Sequence, residues 1–177
     1  MFAKNRFNVL PFVVLLAGLA LFAFGPAPTL AQEGQPLELP CVTGVTVVPI
    51  GQGMPNDANG QALVMLRLTV APGGGFAAHT HPGTLLVSIE SGTFDLTQLD
   101  DMQMSVTRAA TDGTPATTET MTKGVTLTLD AGDGFVEPGG MVHTGFNNGS
   151  EPTVVLLSGL VDPNLPLVQC IEGTPTA

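Results

Sequence analysis

The sequence predicts an all-β fold, and its hydrophobic pattern is the main reason. Apolar residues occur in short stretches rich in Val, Leu and Thr, which Gly, Pro, Asn and Asp separate. Within Ala62–Val70, positions 64, 66, 68 and 70 are apolar and would share one face of a strand. Beyond residue 31 no stretch has the period of a long amphipathic helix. Many short strands at close spacing favour a sandwich or a barrel, and the lack of a repeat of 20–50 residues argues against a solenoid or propeller.

Nine segments are predicted to be strands because they are short, apolar and bounded by turn-forming residues. In chain order they are Gly44–Ile50, Ala62–Val70, Ala77–His81, Leu85–Ile89, Thr93–Gln98, Met104–Arg108, Val125–Leu129, Val142–Phe146 and Thr153–Leu160. The glycine-rich segment 71–75 is predicted to interrupt the sheet. Segment 109–122 is predicted to be a loop or an exposed hairpin, and segment 132–140 a turn region with a short apolar piece. The proline-rich tail after Pro163 is expected to run over the surface, apart from Cys170.

Residues 1–31 have the features of a secretory signal peptide. Two basic residues precede the apolar run Val9–Phe24, and Thr29–Ala31 offers a small-residue cleavage site. The alternative is an uncleaved membrane anchor, but the run contains Pro11 and is shorter than the ~20 residues that a spanning helix needs. We therefore expect an extracytoplasmic protein, secreted or held in the cell envelope. Its mature part, 32–177, is predicted to be a single domain without stable membrane insertion.

The mature part is strongly acidic. It contains three basic residues, Arg67, Arg108 and Lys123, and all fifteen acidic residues of the chain, which gives a formal charge of −12. Nucleic acid is therefore not expected as a partner, because phosphate binding needs clustered basic side chains. The acidity is typical of a protein that stays soluble outside the cell.

The two cysteines, Cys41 and Cys170, lie near opposite ends of the mature chain. In an oxidising compartment an even number of cysteines usually pairs into disulfides. The two lack the C-x-x-C spacing of a redox or metal site. We predict a Cys41–Cys170 disulfide that ties the C-terminal tail back to a barrel core of about 44–161.

The chain has three histidines, and two of them are separated by one residue. Side chains at i and i+2 of a strand point the same way, so His79 and His81 would project from one face. Two such imidazoles can share one metal ion, although an H-x-H pair on a strand is often solvated instead. With His143 as a third ligand, an ion would keep open positions for water or substrate.

The segments around the histidines resemble the two signature motifs of the cupin superfamily. The first motif, G-x5-H-x-H-x3,4-E-x6-G, is matched from Gly73 to Gly92 except at its glutamate. The second motif, G-x5-P-x-G-x2-H-x3-N, is matched throughout from Gly132 to Asn147. The resemblance implies a double-stranded β-helix, which is a jelly-roll barrel, with a metal ion inside its mouth.

One departure from the family pattern changes the expected site. The family's glutamate would fall at position 85 or 86, and both positions are Leu. Glu90 and Glu137 are candidates for an additional ligand, but strand parity directs Glu90 to the opposite face and leaves the direction of Glu137 open. The simplest interpretation is a neutral three-histidine site for one divalent zinc, iron, copper or nickel ion. Four inward-facing side chains are expected in the core and secondarily along the pocket: Phe76, Leu85, Val87 and Phe146.

Three functions agree with this pattern. The first is a metal-dependent enzyme, such as a dioxygenase-like oxidoreductase, because an apolar barrel mouth around a metal favours a small ligand. The mature part has no Tyr and a single Lys, which argues against isomerases that need a positioned proton carrier. The second is a non-catalytic module that binds a metal or a small molecule. The third is a structural protein that forms homodimers through its barrel edges.

Overall fold

The structure, a computed structural model, describes residues 34–172. The predicted signal peptide therefore lies outside the described residues. Within 34–172 no helix is long and apolar enough to cross a membrane. The strands are β1 (Gln35–Pro36), β2 (Val42–Gly53), β3 (Ala62–Thr80), β4 (Gly83–Ser91), β5 (Thr93–Gln98), β6 (Ser105–Arg108), β7 (Thr117–Thr120), β8 (Thr126–Asp130), β9 (Gly134–Glu137), β10 (His143–Phe146), β11 (Thr153–Val161) and β12 (Gln169–Cys170).

The strands pair into one antiparallel sheet that curls on itself, and β3 connects its two halves. The first half of β3 lies between β2 and β11, and the sheet continues from β11 through β4, β9 and β6 to β7. The second half of β3 pairs with β10 and β12, and the sheet continues from β10 through β5 to β8. This crossing of one strand between two halves is the arrangement of a double-stranded β-helix. The predicted all-β barrel is therefore confirmed.

The expected interruption at segment 71–75 is wrong, because β3 passes through it without ending. Gly75 has a φ of 153°, and a Cβ at this position would lie 2.2 Å from the carbonyl oxygen of Gly145. A residue without a side chain is needed here so that β10 can approach β3 closely. The close approach at Gly75 accompanies the pairing of β3 with β10, in which His79 stands opposite His143.

Two other segments have more structure than their composition indicates. β6 and β7 pair as a hairpin, and all four residues of β7 are exposed. Of the loop and the exposed hairpin expected for segment 109–122, the structure therefore has the hairpin. The predicted turn region 132–140 contains β9, which pairs with β4 on one side and with β6 on the other. β9 therefore joins the hairpin to the barrel.

The C-terminal segment packs against the barrel, which corrects the expectation that it runs over the surface. β12 pairs with the end of β3, so that Cys170 lies opposite His79. The predicted disulfide between Cys41 and Cys170 is present, with the Cα atoms 5.6 Å apart. Val168 is 7% exposed and belongs to the hydrophobic core. The disulfide and this apolar contact hold the segment in place.

Asp133 is a buried carboxyl that connects three parts of the chain. It accepts hydrogen bonds from the backbone N–H groups of Asp130 and Ala109 and from the guanidinium of Arg108. Burial alone would raise the pKa of this carboxyl. The hydrogen bonds from these donors and the charge of Arg108 together lower the pKa by more, so that it lies below its usual value. The ionised Asp133 side chain therefore stabilises the junction between β6, β8 and β9.

Candidate metal centre

The three histidines converge inside the barrel. His79 lies near the end of β3 opposite His143, the first residue of β10, and His81 directly follows β3. The three residues are 2%, 4% and 5% exposed for His79, His143 and His81 respectively. One ligand nitrogen from each ring lies within 4.8 Å of the other two. The cluster can accommodate a single metal ion.

Each imidazole has its Nδ1 atom near a backbone carbonyl oxygen. The distances are 2.8 Å from His79 to Ala77, 2.6 Å from His81 to Leu167, and 3.2 Å from His143 to Met141. With the ring proton on Nδ1, each ring donates a hydrogen bond to its carbonyl and presents the lone pair of Nε2. Metal-binding histidines are commonly oriented in this way by a carbonyl or carboxylate on the second nitrogen.

Burial keeps the three rings in the neutral form that binds metals. It lowers the pKa of His79 to about 2, that of His143 to about 3 and that of His81 to about 4. For His79 and His143 the neighbouring imidazoles lower the pKa as well. Because a ligating histidine must be deprotonated, these rings need to lose no proton at neutral pH before a metal binds.

The turn between β9 and β10 aligns the two motif segments. Gly140 has a φ of 81°, in the left-handed region that favours glycine. Its N–H donates a hydrogen bond of 2.9 Å to the carbonyl oxygen of His81. The Pro-x-Gly spacing of the second motif therefore fixes the backbone immediately before His143 against the segment that carries the other two histidines.

A carboxyl group lies beside the three-histidine cluster, at one of the two glutamates that the sequence left as candidates for an additional ligand. Glu137, the last residue of β9, is 2% exposed. Its Oε1 atom lies 3.5 Å from Nε2 of His81 and 3.3 Å from Nδ1 of His143. In the pairing of β4 with β9, Glu137 stands opposite Leu85, the position at which the family motif places its glutamate. The carboxyl is thus supplied from the adjacent strand at the same level of the barrel.

The burial of the Glu137 side chain is compatible with a cation at the cluster. Its Oε1 is buried and accepts no hydrogen bond within the described range 34–172. Burial raises the pKa of this carboxyl to about 8. A buried polar atom without a partner is unfavourable, and a divalent ion between the imidazoles and the carboxyl would provide one. Three imidazole nitrogens with a carboxylate oxygen nearby are a donor set that suits a transition metal.

The other predicted site residues divide into two groups. Glu90 points to the outer surface, where its carboxylate binds Arg67 at 2.7 Å, so it is not near the histidines. Phe76 and Val87 line the cavity beside the cluster.

Leu85 and Phe146 do not line this cavity, which corrects their expected secondary role. Leu85 is completely buried and packs over Gly159 of β11. The absence of a side chain at Gly159 gives Leu85 a place in the core. Phe146 is partly buried and packs against the same core from its margin.

The cavity beside the histidines has a volume of about 440 Å³. The barrel strands form most of its wall, and two terminal segments, 35–39 and 166–168, contribute the rest. The role of these segments was not predicted. The one signal for the second of them is Cys170, whose disulfide places the nearby chain close to the first histidine motif.

A sequence profile of the family described as Cupin matches residues 52–166. The chain belongs to the cupin family. This cupin is also similar to germin-like protein 5-1 of Oryza sativa subsp. japonica, with 34% identity over 93 residues. The match covers 52% of the cupin chain and 34% of the rice protein, so it spans about a third of that relative's length.

Solved structures with a related fold have low sequence identity to this cupin. KdgF from Halomonas sp. is 16% identical, with a TM-score of 0.48, over 75% of this chain and 91% of that one. A double-stranded β-helix protein from Klebsiella pneumoniae subsp. pneumoniae is 19% identical, with a TM-score of 0.45, over 70% of this chain and 82% of that one. Similarity at this level carries no information about a shared substrate.

Proposed function

We propose that this cupin binds one divalent zinc, iron, copper or nickel ion through His79, His81 and His143, with Glu137 as an additional ligand. The convergence of three buried, neutral imidazoles on one point is the observation that supports this most strongly. A bound cation favours the ionised form of a nearby carboxyl. Metal binding would therefore lower the pKa of Glu137 from its raised value and resolve the unfavourable burial of its Oε1 atom.

We further propose that the centre is a dioxygenase-like oxidoreductase acting on a small molecule. A redox-active ion, when bound, supplies the activation of dioxygen. Both oxygen atoms enter the product in such a reaction, so no external reductant is needed. The protein contributes the remaining parts: the histidines and Glu137 would hold the ion, and the apolar wall excludes water from the substrate.

A non-catalytic role in binding a metal or small molecule is the second candidate. Among the described residues that line the cavity, Glu137 is the single titratable one apart from the three histidines, and none is Ser, Thr or Tyr. This leaves few groups for acid–base chemistry. An extracytoplasmic location is proposed for either function, because the Cys41–Cys170 disulfide suits an oxidising compartment and the signal-like segment 1–31 agrees with export.

Metal titration into the metal-free protein tests the binding proposal. Calorimetry with Zn²⁺ or Ni²⁺ should give one site per chain, and His81→Ala should weaken it by about 100-fold or more, because a direct ligand contributes more than an outer-sphere partner. A wild-type protein that binds neither ion, or a His81→Ala variant with unchanged affinity, would refute the metal site.

Oxygen uptake distinguishes the enzyme from the binding module. The iron-loaded and nickel-loaded protein should consume dioxygen when phenolic or diketone compounds are added, and His81→Ala should not. A protein that binds metal but shows no turnover with such a panel would favour the non-catalytic module.

A further inference from the structure

We propose that the cavity selects a ligand with a neutral, mainly apolar body and discriminates against a carboxylate carried on that body, away from the metal. This inference rests on the proposed function in one respect, since the bound metal would provide the main polar anchor for the ligand. The selection itself arises from the wall of the cavity, and it can be tested without a metal.

The wall offers very few polar contacts. Beyond the histidines and Glu137, Gln35 is its only polar side chain among the described residues. Three phenylalanines, Phe76, Phe94 and Phe135, come from strands β3, β5 and β9 and face the same space. A ligand covered by such walls must bury its own surface without hydrogen bonds, which strongly disfavours sugars and other polyhydroxylated molecules.

No basic side chain of the described range is available to a bound anion. Arg67 pairs with Glu90, and Lys123 pairs with Asp101. Arg108 is bound by Glu119 and Asp133, and none of the three basic residues lines the cavity.

Against the wall of this cavity, away from the metal ion, a carboxylate would lose its hydration without gaining a cationic side chain. It would also cross the field of a strongly acidic protein. Apolar groups meet none of these costs and gain from leaving water.

The size of the cavity suits a molecule with one or two rings. Its volume of about 440 Å³ lies within the range of small-molecule sites, roughly 300–1,000 Å³. The ring of Phe76 lies 5.2 Å from that of His79, so an aromatic ligand could contact the phenylalanine while a polar atom at its edge faces the histidine cluster. We therefore expect a ligand with an apolar body and one polar end.

Two fluorescent probes with the same aromatic skeleton test the selection. N-phenyl-1-naphthylamine is neutral, and 8-anilino-1-naphthalenesulfonate carries one added sulfonate. On the metal-free full-length protein we expect the neutral probe to bind about tenfold or more tightly than the anionic one, because the sulfonate must be desolvated without a partner. Equal or tighter binding of the sulfonate, or no binding of the neutral probe, would overturn the inference.

Matched cavity-filling variants locate the binding. Val155 lines the cavity and is 3% exposed, whereas Val136 is 53% exposed and lies outside it. Val155→Phe should weaken the neutral probe about tenfold by occupying the space, and Val136→Phe should leave it unchanged. Loss with Val136→Phe but not with Val155→Phe would show surface binding and contradict the proposal. Circular dichroism checks folding, and Val87→Phe is a second filling variant if Val155→Phe does not fold.

The probe measurements and the metal titration fail independently. If the protein binds the neutral probe but no metal, the proposed metal function is wrong and the apolar selection stands. If it binds metal but not the probe, the selection is wrong and the metal site stands.

Discussion

Removal of the Cys41–Cys170 disulfide should strongly destabilise the domain. The two cysteines are 129 residues apart in sequence. The chain-entropy relation for a loop of this length gives a loss of about 5 kcal/mol of unfolding free energy. For a domain of this size, that corresponds to a decrease in melting temperature of about 15 °C. The double variant Cys41→Ala/Cys170→Ala removes the bond, and thermal and urea unfolding measure the loss.

The same variant should also weaken the metal site, because the disulfide holds the segment whose Leu167 carbonyl accepts the hydrogen bond from His81. Loss of such an orienting partner typically lowers metal affinity by about 10- to 100-fold. Reduction of the wild type should reproduce the instability of the variant, and reductant should not affect the variant itself. A stability loss below about 1 kcal/mol would refute the chain-entropy reasoning, and unchanged metal affinity would refute the role of the C-terminal segment.

Three further predictions concern substitutions at single positions. Glu137→Gln should weaken metal binding about tenfold or more in calorimetry. The matched change Glu90→Gln on the outer surface should leave the affinity unchanged. Equal effects of the two variants would exclude Glu137 as a ligand. Asp133→Asn should cost about 2 kcal/mol at pH 7 in urea unfolding. Because the folded-state pKa of Asp133 is lowered, its contribution is fully present above the unfolded pKa and decreases as the pH falls from there through the folded-state pKa. A cost that does not decrease as the pH falls from 7 into the acid range would contradict the charge-based account. Gly75→Ala should lower the free energy of unfolding by about 3 kcal/mol or more in urea unfolding, since the added Cβ would meet the backbone of β10. The matched change Gly73→Ala, where the space is open, should lower it by about 1 kcal/mol. Equal losses would mean that the close approach at Gly75 is unimportant.

The features that could be predicted from the sequence depend on local spacing. Alternation within strands places His79 on a defined face, and the Pro-x-Gly spacing before His143 fixes a turn that the structure reproduces. Strand parity also directs Glu90 outwards, where it pairs with Arg67. Each of these relations involves residues within one strand or turn, so the pattern alone contains the necessary information.

The features that could not be predicted depend on contacts between distant segments. The proximity of Glu137 to the histidines follows from the register of β9 against β4, where it stands opposite Leu85, and no local pattern encodes that register. The C-terminal residues 166–168 have no periodicity, and the disulfide and β12 determine their place in the cavity wall. The continuity of β3 through 71–75 depends on pairing with β2 and β10, which overrides the tendency of glycine and proline to end a strand.

X-ray absorption spectroscopy of the metal-loaded protein tests the central claim most directly, because it reports the atoms bound to the ion. With one equivalent of Zn²⁺ we expect nitrogen scatterers near 2.0–2.1 Å and outer-shell imidazole scattering from three histidines, reduced to two in His81→Ala. A coordination shell made only of oxygen, without imidazole scattering, would show that the ion does not bind His79, His81 and His143 and would contradict the account.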